Sequence, residues 1–130
     1  VAQIRHRINQ SALAALAAPG ASVYRDMLRR GIRVQNGARR RVNVDTGRLR
    51  SSINVEGPVV RGGGAGVRVG TNVEYAIYVH EGTRPHLIRP QARTVLRFQA
   101  GGGTVYARWA LHPGTRGNPF LRDALTDARY

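Results

Sequence analysis

The apolar positions near the start of the chain follow a helical period. Ile4, Ile8, Ala12, Ala15 and Leu16 recur at that spacing until Pro19-Gly20 stops them, which predicts a helix over 4–18. A second helix is predicted from Ser22, an available N-cap, toward Arg41, with Val23, Met27, Val34 and Ala38 on one face. Next, Asp45 or Thr46 caps a short helix through Leu49 to Ser52. Ile53 and Val55 then read as a strand that ends at Glu56-Gly57-Pro58. Val67 and Val69 alternate with Arg68, as in a strand with one buried face.

The stretch TNVEYAIYVHEG fits both periods. Val73, Tyr75, Ile77 and Val79 alternate, whereas Val73, Ala76, Ile77 and His80 share a helix face. Its ends favour a helix over 73–81: Thr71 and Glu74 match a capping box, and Gly82 stands where a left-handed residue closes a helix. Tyr75 and Tyr78 lie near this helix, which is expected to pack. HLIRP, RTVLRFQ and TVYARWA then predict three strands, the last two joined as a hairpin across 100–103. Asn118 caps and Pro119 opens a closing helix whose expected buried stripe is Leu121, Ala124, Leu125 and Ala128.

These elements predict an α+β fold: a mostly antiparallel sheet of about five strands, with N-terminal helices, a short central helix and a C-terminal helix on one face. The length predicts one domain over 1–130, helical over 1–41, sheet and helices over 42–130, with a flexible glycine-rich loop at 58–66. The segment SALAALAAPGA after RHR imitates a signal peptide only faintly. Its apolar run is short, no run approaches a membrane span, and it reads as a helix of a soluble protein. The chain opens on Val1 rather than Met, and a start methionine or short leader is expected ahead of it.

Charge changes the picture more than hydropathy does. The formal net charge is +14, all 21 cationic side chains are arginine, and only seven side chains are acidic. Phosphate or an acidic protein surface would each answer that surplus, because a guanidinium forks onto two oxygens of either. Without lysine there is no Schiff base and no Walker-type phosphate loop. Without cysteine there is no disulfide, thiolate nucleophile or thiolate metal site. Gly62, Gly63, Gly64 and Gly66 lack the lysine, hydroxyl and strand-to-helix setting of a phosphate cradle, and fit a hairpin tip.

His-x-Gly-Thr-Arg occurs twice, at His80 to Arg84 and at His112 to Arg116. Lying at a helix stop and ahead of a helix start, both copies read as turns whose glycines serve the backbone. His80, His86 and His112 with Glu81 make a conceivable zinc set, but no His-x-x-x-His or His-Glu-x-x-His is present, and turn histidines are the plainer reading. Asp123 and Asp127 form the one close acidic pair, and no serine stands in a Gly-x-Ser-x-Gly setting. No catalysis and no cofactor is expected. A basic nucleic-acid-binding module acting by arginine–phosphate contacts is the alternative function, although no helix-turn-helix, RNP-like strand pair or GXXG clamp is evident.

Three ordered blocks, VDTGRLRSSI, VGTNVEYAIYVHEGTRPHLIRP and HPGTRGNPFLRDAL, resemble the tail-completion or head-tail joining proteins of long-tailed bacteriophages, the gene-product-ten type of tail component. The resemblance rests on Asp45, Thr46 and Gly47; on Gly70, Thr71, Glu74, Tyr75, Gly82 and Thr83; and on Gly114, Asn118, Pro119 and Phe120. It spans Val23 to the C-terminus and leaves out the segment before Pro19 and the Gly62 to Gly66 loop. The resemblance implies a structural protein of the virion neck or tail top. It would be a homo-oligomeric ring against the connector and the tail-terminator or tail-tube proteins, with genomic DNA passing through its bore, made in the bacterial cytoplasm and touching no membrane. Under that reading Arg48, Arg50, Arg61, Arg68, Arg84 and Arg116 are the expected interface residues, paired with acidic groups on the next protomer or the adjoining ring.

Overall fold

The computed structural model describes residues 7, 9–16, 18–61 and 64–129, apart from the side chains of Val60 and Arg61. The described chain divides into two compact units, one of residues 1–76 with 119–130 and one of residues 77–118.

The first unit is organised by α2 (Ser22–Arg41), whose inner face carries Gly31, Val34, Gly37 and Ala38. Ala21, not Ser22, takes the N-cap position, because its extended backbone presents its carbonyl to the Arg25 N–H at 3.0 Å. Ahead of it lies α1 (Gln10–Leu16), shorter than the helix expected over 4–18. Asn9 is its cap, its Oδ1 accepting from the Ala12 N–H at 3.1 Å and from the Ser11 hydroxyl at 2.6 Å. Residues 4–6, 8 and 17 of the expected helix lie outside the described residues.

The short helix α3 (Arg48–Ser52) is capped by Gly47 at φ 80°, and the Thr46 hydroxyl accepts from the Arg48 N–H at 3.4 Å. Asp45 is exposed and does not cap. Strand β1 (Asn54–Arg61) follows and pairs antiparallel with β2 (Gly64–Gly70). The sequence places the end of β1 at Gly57-Pro58, yet the strand runs through it. The register shifts between Glu56 and Val59, so the proline, which has no N–H to give, sits where the ladder skips. Gly64 and Gly66, expected in a flexible loop, are ladder residues of β2, while 62 and 63 lie outside the described residues.

Two side chains of α2 close the joint between α3 and β1. Gln35 Nε2 and Arg39 Nη2 both donate to the Ile53 carbonyl, at 2.7 and 2.8 Å. Helix α5 (Phe120–Asp127) packs on α2, and Arg41 pairs with Asp127 across them. The core is therefore Val34, Ala38, Val42, Leu49, Ile53, Val73, Ala76, Phe120 and Ala124, with Ile53 and Phe120 both at 0% exposure. Leu125, expected in the stripe of α5, is 49% exposed, because Phe120 and Ala124 fix the inner face and Leu125 lies about 100° around from Ala124.

Helix α4 (Ala76–Glu81) begins three residues later than predicted. The Thr71 hydroxyl meets the Ser52 hydroxyl at 2.5 Å and accepts from the Val73 N–H at 3.2 Å. A turn through Glu74 and Tyr75 therefore replaces the capping box. Gly82 closes α4 at φ 81°, as its position requires. Tyr75 and Tyr78, near the helix expected to pack, are exposed.

The second unit holds β3 (Gly82–Thr83), β4 (His86–Ile88), β5 (Leu96–Ala100), β6 (Gly103–Ala107), β7 (Ala110–His112) and β8 (Thr115–Arg116). The α+β class holds, but in place of the expected sheet of about five strands the described residues form eight strands in four two-stranded antiparallel ladders: β1–β2, β3–β8, β4–β7 and β5–β6. Proline is the physical reason, since Pro85, Pro90 and Pro113 follow β3, β4 and β7 within two residues and withhold the donors a wider sheet needs. The β5–β6 hairpin turns as predicted, with Gly101 and Gly102 at φ 59° and 81°.

Gly31 tests the seat of α2. A Cβ there stands 2.9 Å from both Val55 Cγ1 and Val67 Cγ2. Alanine gains about 1 kcal/mol over glycine in a helix interior, and overpacking costs about 1–3 kcal/mol. Gly31→Ala should therefore lower the denaturation midpoint despite its better propensity, whereas Gly66→Ala, which faces open space, should not. A raised midpoint for Gly31→Ala would mean that α2 does not rest on the β1–β2 hairpin there.

Candidate assembly interface

The fold lays the two His-x-Gly-Thr-Arg segments across each other. Gly82 pairs with Arg116 and Thr83 with Thr115, and nearby His86 pairs with His112. The crossing is reciprocal. A Cβ on Gly82 would meet the Thr115 carbonyl oxygen and stand 2.6 Å from the Gly117 nitrogen. One on Gly114 would meet the Thr83 carbonyl oxygen and stand 2.9 Å from the Arg84 carbonyl carbon. Both glycines also hold positive φ, 81° and 84°. Each is thus required by its own turn and by the other strand's closeness. The Thr83 and Thr115 hydroxyls meet at 3.0 Å, and the Thr115 N–H donates to Thr83 Oγ1 at 3.0 Å. At the unit's ends the Asn118 N–H donates to the Val79 carbonyl at 2.8 Å, so Asn118 contributes its backbone here, while Pro119 takes the N-cap position of α5.

The imidazoles serve these turns. The His86 and His112 rings stack with centroids 5.0 Å apart. His112 Nδ1 accepts from the Gly114 N–H at 3.0 Å, His86 Nδ1 donates to the Arg84 carbonyl at 2.9 Å, and His80 Nδ1 lies 2.5 Å from Glu81 Oε1. Among the described residues no three His, Cys, Asp or Glu side chains are grouped to hold a metal ion. Asp123 and Asp127 turn to different arginines, Arg122 and Arg41.

The second unit has no buried residue at all. Ile77, Tyr78, Leu87, Ile88, Val95, Phe98, Val105, Tyr106, Trp109 and Leu111 are all exposed, Trp109 at 60% and Leu111 at 67%. Ladder register puts Leu96, Phe98, Val105 and Ala107 on one face of the β5–β6 hairpin and Arg97, Gln99, Thr104 and Tyr106 on the other. A two-stranded ladder supplies no second layer to cover such a face. The sequence reading missed this surface. Its signal was the density of large apolar residues in a segment cut short by prolines.

The expected interface arginines separate by unit. In the first, Arg48 and Arg50 are exposed on α3, and Arg68 lies 3.9 Å from Glu56 on the paired strand. The Arg61 side chain lies outside the described residues. In the second, Arg84 and Arg116 are exposed and flank the glycine crossing.

Residues 3–82 match the model of the family described as "Bacteriophage HK97-gp10, putative tail-component". The chain belongs to that family. It is a structural component of the bacteriophage tail and hence of the virion. No curated protein and no solved structure matches the chain. The match covers the block from Val44 to Leu49 and nearly all of that from Val69 to Thr83, and the block from His112 to Leu125 lies beyond it. It also takes in most of the segment before Pro19 and the Gly62 to Gly66 loop, which the motif pattern alone had left out of the tail-component resemblance.

Gly82→Ala and Gly114→Ala should each open the β3–β8 crossing. Hydrogen exchange would show it as faster exchange at the Thr115 amide, with the α2 amides unchanged. Protection at Thr115 equal to that of the parent protein would contradict the crossing.

Proposed function

We propose that this tail component works in the virion neck or at the top of the tail, where copies close into a ring that completes the tail and joins it to the head connector, leaving a bore for the DNA. The observation that supports this reading is the second unit, which displays ten large apolar side chains and buries none. Large apolar side chains exposed in this density mark a contact site. Each such side chain fully covered by a neighbour contributes about 1.5–3 kcal/mol, so several of them hold a symmetric assembly together. The role is geometric, and no catalytic step is assigned to it.

The arginines have a separate part in this reading. Arg48, Arg50, Arg61, Arg68, Arg84 and Arg116 are proposed to face molecules other than a second copy, because each copy carries 21 arginines against seven acids. An adjoining neck or tail protein is the proposed counterpart, since a strongly adhesive bore would retard DNA.

Electron microscopy of purified virion necks tests the reading directly: density for this chain at a symmetric copy number supports it, and mature particles lacking the chain would end it. Trp109→Ser with Leu111→Ser should leave unit one folded and abolish ring closure, read as a smaller sedimentation coefficient and as heads without joined tails. Arg84→Glu should block joining while leaving the denaturation midpoint within about 0.5 kcal/mol of the parent.

A further inference from the structure

Between α2 and α3 lies a cleft of about 480 Å³ lined by Asn36, Arg39, Arg40, Gly47, Arg50 and Ser51. Three of its six lining residues are arginines and none is acidic. Among the described residues no carboxylate pairs with any of the three. Arg39 is half-buried, gives Nη2 to the Ile53 carbonyl at 2.8 Å, and buries its Nε without an acceptor. A partly buried guanidinium whose one bond is to a carbonyl is a charge the fold has not neutralised. The opposite wall is fixed: the Ser51 N–H donates to the Gly47 carbonyl at 3.0 Å, and its hydroxyl donates to the Arg48 carbonyl at 3.0 Å.

We propose that this cleft is a docking site for an acidic segment of a different polypeptide, whose carboxylates enter between Arg39, Arg40 and Arg50. Guanidinium pairs carboxylate through two parallel hydrogen bonds, and Arg39, already held by the Ile53 carbonyl, loses little freedom on binding. Charge favours a different chain as the source, because each further copy adds 21 arginines against seven acids. The shape disfavours nucleic acid. No aromatic ring lines the cleft to stack a base, and a duplex is gripped by cations spread along its backbone rather than grouped at one spot. The site lies in the first unit; it rests on the reading that Arg50 faces an adjoining protein, and not on ring closure, which concerns the apolar residues of the second unit.

The test uses the full chain and fluorescein-labelled octaglutamate, read by anisotropy at about 0.15 M salt. Arg40→Glu with Arg50→Glu is compared with Arg89→Glu and Arg93→Glu, exposed residues of the other unit that give the same net charge. Arg40 and Arg50 are exposed and line the cleft without bonds to the core, so a milder pair, Arg40→Gln with Arg50→Gln, keeps the fold and reads the same site. The cleft pair should lose about tenfold or more in affinity, the Gln pair should fall between it and the parent, and the distant pair should lose far less. Equal losses from both Glu pairs would reduce the site to diffuse charge and overturn the proposal. A short DNA duplex losing the same factor as octaglutamate in the cleft variants would make phosphate the occupant and overturn it as well.

Discussion

Everything in the first unit depends on how closely α2 can be approached, and that is set by two residues with no side chain. At Gly31 the helix backbone lies against Val55 and Val67 of the β1–β2 hairpin, and at Gly37 a Cβ would stand 3.2 Å from the Cβ of Ala124 on α5. Glycine in a helix interior costs about 1 kcal/mol relative to alanine, and two of them would weaken an isolated helix. Here the loss is offset by contact. The helix meets a strand pair at one point and another helix two turns on, so a core of nine buried side chains is shared by elements that are distant in the chain. The Ile53 carbonyl, taken by both Gln35 and Arg39, fixes α3 and β1 to the same helix.

The second unit is held by a different kind of interaction. It has backbone crossings in place of a core: Gly82 and Gly114 each allow the other's strand to close, and the threonine hydroxyls complete the contact. Hydrogen bonds of this sort contribute about 1 kcal/mol each net. They specify a shape more than they stabilise it, and the apolar side chains that would normally supply the stabilisation point into solvent. Such a segment gains most from a surface that covers it.

Periodicity made much of this legible. The second helix, the β5–β6 hairpin and the closing helix follow from spacing and turn residues, and the three motif blocks point to the family that the matched span from 3 to 82 bears out. What periodicity could not carry was pairing. Strands of two or three residues, such as β3, β7 and β8, have no period to detect, and their partners lie about thirty residues away along the chain. Both copies of the repeated motif carry a left-handed glycine, but Thr83 and Thr115 lie in paired strands, and that contact leaves no trace in either copy alone. Exposure was the other blind point. A helical stripe such as that containing Leu125, or an alternation such as Val73 to Val79, says which residues share a face but not whether anything covers it. Cap residues failed for a more local reason, since Ala21 and Gly47 act through backbone conformation rather than through the side chains that a sequence displays.

Charge and apolar surface would divide the work of the proposed assembly because they combine differently with a copy of themselves. A leucine attracts a leucine, so an apolar face is self-complementary in sign and serves contacts between identical chains. An arginine repels an arginine, and adding copies never supplies the missing carboxylates, because every protomer brings the same +14. Screening over about 8 Å at physiological salt makes that repulsion tolerable between distant residues but does not neutralise a concave cluster such as Arg39, Arg40 and Arg50. In the proposed ring, identical neighbours would therefore meet through the exposed apolar residues of 77–118, and the arginine surplus would be left to adjoining proteins of other composition.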